Sequence, residues 1–296
     1  MRKNKKEKTD NLKIAVVSEP LFKHGGAEIH LKYILDAFPN CELFTAYYNE
    51  EFVKEFLPNV KINHSFMQHL LGRDKLRHLY LLFQPLAYRH FKFKGYDAVV
   101  SLSIAFSKFA RPKNIPHINI CMSPPKFIWQ KESRTLKSAD QLEGFDRFLF
   151  KVYDFFSRTV IEKMLRKADR KAARECDRIA AISHVVKKRV KKYYDVDADV
   201  IYPPVEVKRI RKEKKMNRKE NWFLYLGRVE TYKGVELAIK ACVKAKVPLK
   251  IAGMGGDFEN MKELVRKLNA KGLIRFLGYV TDEEKFNLLA RTKALI

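Results

Sequence analysis

Short apolar runs recur along the chain, each followed by a polar break and then by a stretch in which apolar positions return every third or fourth residue. The first pattern is that of a strand buried on both faces, the second that of an amphipathic helix. Runs at 12–18, 42–48, 96–102 and 117–122 predict strands, and helices are expected from about residue 26 to Phe38, over 50–57 and over 76–91. A long helical stretch over 145–175, a strand at 177–183, a basic helix at 184–194 and a short strand at 199–202 follow. Residues 206–221 carry almost no apolar side chain, which marks a boundary. The alternation then restarts with strand 222–226, helix 235–245, strand 249–252, helix 258–268, strand 274–277 and helix 282–291. Thr281 and Glu284 form a capping box for that last helix. Strands alternating with helices imply parallel βαβ units, hence an α/β chain with a doubly wound sheet on either side of the boundary. The expected division is a basic tail 1–11, an N-terminal domain 12–205, a charged linker 206–221 and a C-terminal domain 222–296. Ala294-Leu295-Ile296 reads as the opening of one more buried strand, so the second domain is expected to be incomplete.

Composition adds a partner. The 296 residues suffice for two domains, and 46% hydrophobic with 12% aromatic residues gives each half a core. Lys and Arg number 60 against 34 Asp and Glu, a formal charge of +26, concentrated at 2–13, 158–192 and 208–219. Any one of these runs fits a solvated face; together they favour an anionic partner: nucleic acid, an anionic membrane surface or a phosphorylated substrate. Nothing like a recognition helix, zinc finger or aromatic strand pair accompanies the charge, so no nucleic acid is expected, although a basic nucleic-acid-binding protein remains the reading from another class. Cys41, Cys121, Cys176 and Cys242 stand far apart without ligand-like spacing, which argues for a reducing compartment and against structural zinc. The N-terminal charges precede no apolar segment of a secretory signal, and no run reaches the ~18 apolar residues of a membrane span.

The stretch with the most chemistry is 222–234, Trp-Phe-Leu-Tyr-Leu-Gly-Arg-Val-Glu-Thr-Tyr-Lys-Gly. It reads as a buried strand, a loop carrying Arg228 and Lys233, and the start of a helix. In open α/β sheets ligands bind at strand carboxyl ends, and helix N-termini favour anions, so these two cations form a candidate phosphate site. An ordinary βα loop with solvated charges fits that stretch equally well on its own. Glycines stand at other strand exits, at Gly25-Gly26, Gly227, Gly253-x-Gly255-Gly256 and Gly278. Each alone is commonly just a turn; their recurrence in both halves suggests two sheets sharing a cleft. There is no Gly-x-Gly-x-x-Gly after the first strand, no P-loop, no Gly-x-Ser-x-Gly elbow and no usable Cys/His pairing. The histidines are scattered and none is assigned a catalytic role.

Three blocks carry a family resemblance. They are Gly25-Gly26-Ala27-Glu28, then Asp169-Arg170-Lys171-Ala172-Ala173 through Asp177-Arg178-Ile179-Ala180-Ala181-Ile182-Ser183 to Tyr202-Pro203-Pro204-Val205-Glu206, and finally Gly227-Arg228…Lys233-Gly234 continuing into Gly253-x-Gly255 and Gly278-Tyr279-Val280. In this order they resemble the retaining "group 1" glycosyltransferases of family 4, and the second block resembles the mannosyltransferase-like subgroup of bacterial polysaccharide synthesis. The resemblance implies a GT-B-like fold, two Rossmann-like doubly wound domains facing a cleft. It implies that Arg228 and Lys233 bind the donor diphosphate, that Gly25 and Gly26 face the phosphates or acceptor, and that Gly253, Gly255, Tyr279 and Val280 lie near the nucleotide base. Ser123 and Lys126 fall in the expected acceptor loop. That loop departs from the subgroup, for Met122 stands where a histidine is usual, and the family's Glu-x7-Glu motif would follow Ala294, beyond residue 296. The expected activity is transfer of a hexose from a nucleotide-diphosphate sugar to a glycan or lipid-linked acceptor, with retention and without a metal or other cofactor. The expected place is the cytoplasm, peripheral on the inner face of the cell membrane. An inactive truncated remnant is the alternative.

Overall fold

A computed structural model of the chain describes residues 12–22, 25–70, 83–130, 162–205 and 219–296. The chain divides into two compact units, Met1–Pro204 and Val205–Ile296.

In the first unit β1 (Ile14–Ser18) is buried at every position. Because successive side chains of a strand alternate, Ala15 and Val17 join one hydrophobic cluster while Ile14 and Val16 join another on the opposite face. A continuous apolar run is therefore what a sheet covered on both faces requires. Helix α1 (Gly26–Ala37), β2 (Glu42–Thr45), α2 (Glu50–Phe56) and β3 (Ile62–His64) follow, then α3 (Gln84–His90), β4 (Ala98–Ser103), β5 (His117–Cys121) and α4 (Lys126–Trp129). Helix α5 (Glu162–Arg174), β6 (Arg178–Ala181), α6 (His184–Tyr194) and β7 (Asp199–Val200) complete the unit. All pairings are parallel, in the order β3-β2-β1-β4-β5-β6-β7.

The second unit holds β8 (Phe223–Leu226), α7 (Val235–Ala245), β9 (Leu249–Ala252), α8 (Phe258–Lys267), β10 (Ile274–Gly278), α9 (Asp282–Arg291) and β11 (Ala294–Leu295). Its parallel sheet runs β10-β9-β8-β11. Phe223 and Tyr225 face one core cluster, Trp222 and Leu224 the other. The expected capping box opens α9, with Glu284 N donating to Thr281 Oγ1 at 3.3 Å and Thr281 N donating to the Glu284 carboxylate at 2.7 Å.

Strand β3 was not expected. Its three residues are half-buried or exposed at the sheet edge, too short a pattern to show a period. The last strand of the first unit is shorter than the expected 199–202. Ile201 N still donates to Ala181 O at 2.9 Å, but Tyr202 precedes Pro203-Pro204, which bring no N–H to a ladder. The helical expectations at 76–82 and 145–161 and most of the linker, 206–218, lie outside the described residues, as does the whole of the basic tail 1–11.

In each sheet one pair of neighbouring strands marks the place where the winding direction reverses. From β1 the chain winds outward through β2 to β3, then returns to place β4 on the other side of β1. From β8 it winds through β9 to β10, and β11 then lands on the other side of β8. The carboxyl ends of β1 and β4, and of β8 and β11, flank the crevices where doubly wound sheets bind ligands.

Candidate functional site

The loop leaving β8 sits at the second unit's switch point. Gly227, at φ +156, donates its N–H to Ala252 O at 3.0 Å, and Val229 donates to Met254 O at 3.1 Å. These bonds lash the loop to the exit of β9. The Tyr225 hydroxyl donates to Arg228 O at 3.0 Å, and burial raises the pKa of that phenol, so it stays a donor. A 3-10 turn at Thr231–Lys233 then leads to Gly234, whose φ of +74 is the left-handed conformation glycine adopts without strain.

On this turn the two expected cations meet around one aromatic ring. Arg228 Nη2 donates to the Tyr232 hydroxyl at 2.5 Å, its guanidinium carbon lies 6.0 Å from the Tyr232 ring centroid, and Lys233 Nζ lies 5.5 Å from the same centroid. Tyr232 is 58% exposed, so the assembly faces solvent. Helix α7 follows its N-cap Gly234 with no side chain capping its N-terminus, which leaves the first amide donors and the positive end of the helix dipole beside the cations. Fixed cations at an uncapped helix N-terminus are suited to an anion such as a diphosphate.

Asp257, at the N-cap of α8, was not singled out from the sequence. Its Oδ2 accepts from Thr231 N at 2.5 Å and also from the Thr231 hydroxyl. Gly256 N donates to Glu230 Oε1 at 3.4 Å. The cation-bearing turn is thus pinned to the loop after β9. Nothing in a lone Asp after two glycines signals a partner 26 residues away; only the fold brings them together. Tyr232 was likewise visible only as part of the loop.

Gly253 and Gly255 have a structural reason beyond any ligand. A Cβ at Gly253 would stand 2.0 Å from Gly227 O, and one at Gly255 2.2 Å from Val229 O. Both positions must be glycine for the two loops to approach, and Gly253 also donates to Gly278 O at 2.7 Å with φ +133. Tyr279 and Val280 part company: Tyr279 is 80% exposed, whereas Val280 packs against Trp222, Leu224 and Ala252.

In the first unit Gly25 is the extended N-cap of α1 and Gly26 its first helical residue, again with no side-chain cap. A Cβ at Gly25 would meet the Glu28 carboxylate at 2.7 Å, while one at Gly26 would meet nothing within 4 Å. Beside them lies a shallow, open depression between the exits of β1 and β4, bordered by Glu19, Ala27, Glu28 and Ile104. At the exit of β5, Met122 N donates to Ser103 O at 2.9 Å, and the Met122 side chain packs on the cluster around Val16, Leu43 and Val100. Ser123 Oγ donates to Pro124 O at 3.0 Å, and Lys126 is exposed at the start of α4. That helix is held from behind: Trp129 Nε1 donates to Asp169 Oδ2 at 2.7 Å, and Asp169 pairs with Lys108 at 2.6 Å, both side chains almost fully buried. The Trp129 ring stacks on Tyr193 at 4.9 Å, with Arg166 and Arg170 within 5.4 and 5.5 Å.

The candidates fall into two groups. Gly25, Gly26, Met122, Ser123 and Lys126 belong to the first unit, and Arg228, Lys233, Gly253, Gly255, Tyr279 and Val280 to the second. Among the described residues there is no cluster of three or more His, Cys, Asp or Glu able to hold a metal ion, and no helix long and apolar enough to cross a membrane. All four cysteines are free.

Residues 206–296 match the model of the family "Glycosyl transferases group 1". An uncharacterized glycosyltransferase of Methanocaldococcus jannaschii is 30% identical over 151 residues, which cover 46% of this chain and 36% of that protein. O-antigen chain mannosyltransferase C of Escherichia coli is 30% identical over 79 residues, 26% of this chain and 20% of the relative. The chain therefore spans about a third or less of the length of these curated relatives. Among solved structures, Anabaena HepE in complex with UDP superposes with a TM-score of 0.60 at 16% identity, covering 96% of this chain and 73% of that one. The fold is accordingly α/β and GT-B-like, built of two Rossmann-like doubly wound units.

Proposed function

We propose that this chain, whose residues 206–296 match the group 1 glycosyl transferases, transfers a hexose from a nucleoside-diphosphate sugar to a glycan or lipid-linked acceptor with retention at the anomeric carbon. The observation that carries this reading is the pairing of Arg228 and Lys233 around Tyr232, on the turn that leads from β8 into the uncapped N-terminus of α7. As the glycosidic bond breaks, negative charge accumulates on the departing diphosphate, and donors fixed in advance stabilise it most in the transition state. Arg228 supplies a planar donor fork and Lys233 a point charge. The helix end adds amide donors, so the diphosphate is neutralised without a metal or other cofactor. The Asp257 contacts to Thr231 and the Tyr225 contact to Arg228 hold the turn, so less reorganisation is needed on binding.

The first unit takes the acceptor in this reading, through Gly25, Gly26, Ser123 and Lys126. Likeness to an O-antigen chain mannosyltransferase supports a place in surface-polysaccharide synthesis and a mannosyl-type donor, and the charge of +26 supports work on the anionic inner face of the cell membrane, from the cytoplasm. Calorimetric titration of GDP and UDP tests the donor site. At least one of the two is expected to bind, and Arg228→Ala and Lys233→Ala each to weaken it by roughly 10- to 100-fold, the loss of a charge-assisted contact. Undiminished binding in both variants would remove these residues from the site. Equal turnover with and without EDTA is the matching expectation for a metal-free transfer.

A further inference from the structure

Glu19 is the first residue after β1, and its carboxylate is surrounded by backbone amides. Oε1 accepts from Ile104 N at 3.2 Å, Ala105 N at 2.8 Å and Ser107 N at 3.0 Å, and Oε2 accepts from Phe106 N at 3.2 Å. Four consecutive N–H groups turned toward one point form a nest of the kind that binds anions, and here the chain's own carboxylate fills it. The residue is itself anchored, since its carbonyl accepts from the Thr45 hydroxyl and the Ser18 hydroxyl, each at 3.1 Å.

The position of this clamp gives it a use. The amides belong to the loop leaving β4, so Glu19 ties together the exits of the two strands that flank the first sheet's switch point. Glu19 and Ile104 are both walls of the depression beside α1, and Ile104 is 42% exposed. A crevice wall cannot be fixed by burying it under a helix without closing the crevice. A carboxylate reaching across fixes it by hydrogen bonds instead.

We propose that Glu19 is the positioning residue of the acceptor side, holding the 104–107 loop as a wall of the acceptor pocket; this rests on the glycosyl-transfer reading with the first unit as the acceptor unit. The test uses the full chain with GDP-mannose as donor and octyl mannoside as acceptor, in wild type, Glu19→Ala and the isosteric Glu19→Gln. Glu19→Ala is expected to raise the KM for octyl mannoside roughly 10- to 100-fold, the cost of misplacing a positioned group by about an ångström. It is expected to leave the affinity for GDP within about twofold, well below the tenfold that 1.4 kcal/mol would make. Its 104–107 amides should lose hydrogen-exchange protection while β1 and β4 keep theirs, and added formate, which fits the vacated nest, should restore part of both losses. Glu19→Gln keeps one acceptor oxygen and should fall between wild type and Glu19→Ala, which serves if the alanine variant does not fold. An active wild type whose Glu19 variants keep the same acceptor KM overturns the role of Glu19 alone, as does a loss of GDP binding equal to the loss of turnover. A wild type that transfers from neither GDP-mannose nor UDP-glucose overturns the glycosyl-transfer reading and the acceptor role with it.

Discussion

His117 begins β5 and is 2% exposed, and the parallel register sets it beside Val99 and sets Asn119 beside Ser101, so that a short polar strip is buried on one face of the sheet. Its Nε2 lies 2.8 Å from Ser101 Oγ, and Asn119 Nδ2 donates to Ser101 Oγ at 2.8 Å and Ser103 Oγ at 2.9 Å. Burial pushes the His117 pKa down from 6.5 to about 4, against the opposing pull of the Asp177 carboxylate. A histidine held neutral in the fold but free to charge when unfolded contributes stability that is complete above pH 6.5 and is lost as the pH falls toward 4. The loss approaches about 3 kcal/mol at the low end. Urea denaturation between pH 7 and pH 4 is expected to show it, and His117→Gln to remove most of the dependence; a variant with the wild-type slope contradicts the assignment. At this same scale, Arg228 and Lys233 could be picked out in the sequence because a strand, two cations and a helix start stand in one short stretch. Asp257 and Glu19 could not, since each acts on a loop that follows a different strand, and the glycines 253 and 255 showed their presence without showing that a facing carbonyl requires them.

Elements were legible in proportion to how completely their surroundings repeat a simple period. Strands β1, β8 and β9 are covered on both faces and read as apolar runs, α6 and α7 were delimited by their patterns, and α9 by its capping box. Strand β3 failed because an edge strand of three residues repeats nothing. The attachment of α5 to the loop after β4 was also invisible. It depends on the ion pair of Lys108 with Asp169, whose side chains are 1% and 0% exposed, and on Trp129 donating to the same carboxylate. Removing one member of a buried pair strands the other charge, so Asp169→Ala is expected to destabilise the first unit by about 3–5 kcal/mol, whereas the double change Lys108→Met with Asp169→Leu should recover most of it. Chemical denaturation of the three proteins decides; a loss under about 1 kcal/mol in Asp169→Ala means that the pair is not what holds the helix.

At the scale of the whole molecule, the excess of 60 basic over 34 acidic residues is a property no single contact explains, and it bears on where the protein works. Sedimentation with vesicles containing phosphatidylglycerol is expected to carry the chain down, with neutral vesicles leaving it in solution and salt weakening the association as the Debye length shrinks. Equal sedimentation with both vesicles would reject a membrane-surface role. The two-unit organisation rests on alternation of strand and helix periods, which is a local property of the chain. Composition and periodicity therefore determined by themselves the α/β class, the two sheets, the core strands and the cationic loop, because burial of alternate or every-third residues is written into neighbouring positions. Only the tertiary structure decided which strand exits adjoin, and with them the pinning of Thr231 by Asp257, the contact of Arg228 and Lys233 with Tyr232, and the amide nest around Glu19. These depend on strand order, and strand order is set by where each crossover returns the chain to the sheet, not by any residue period along it.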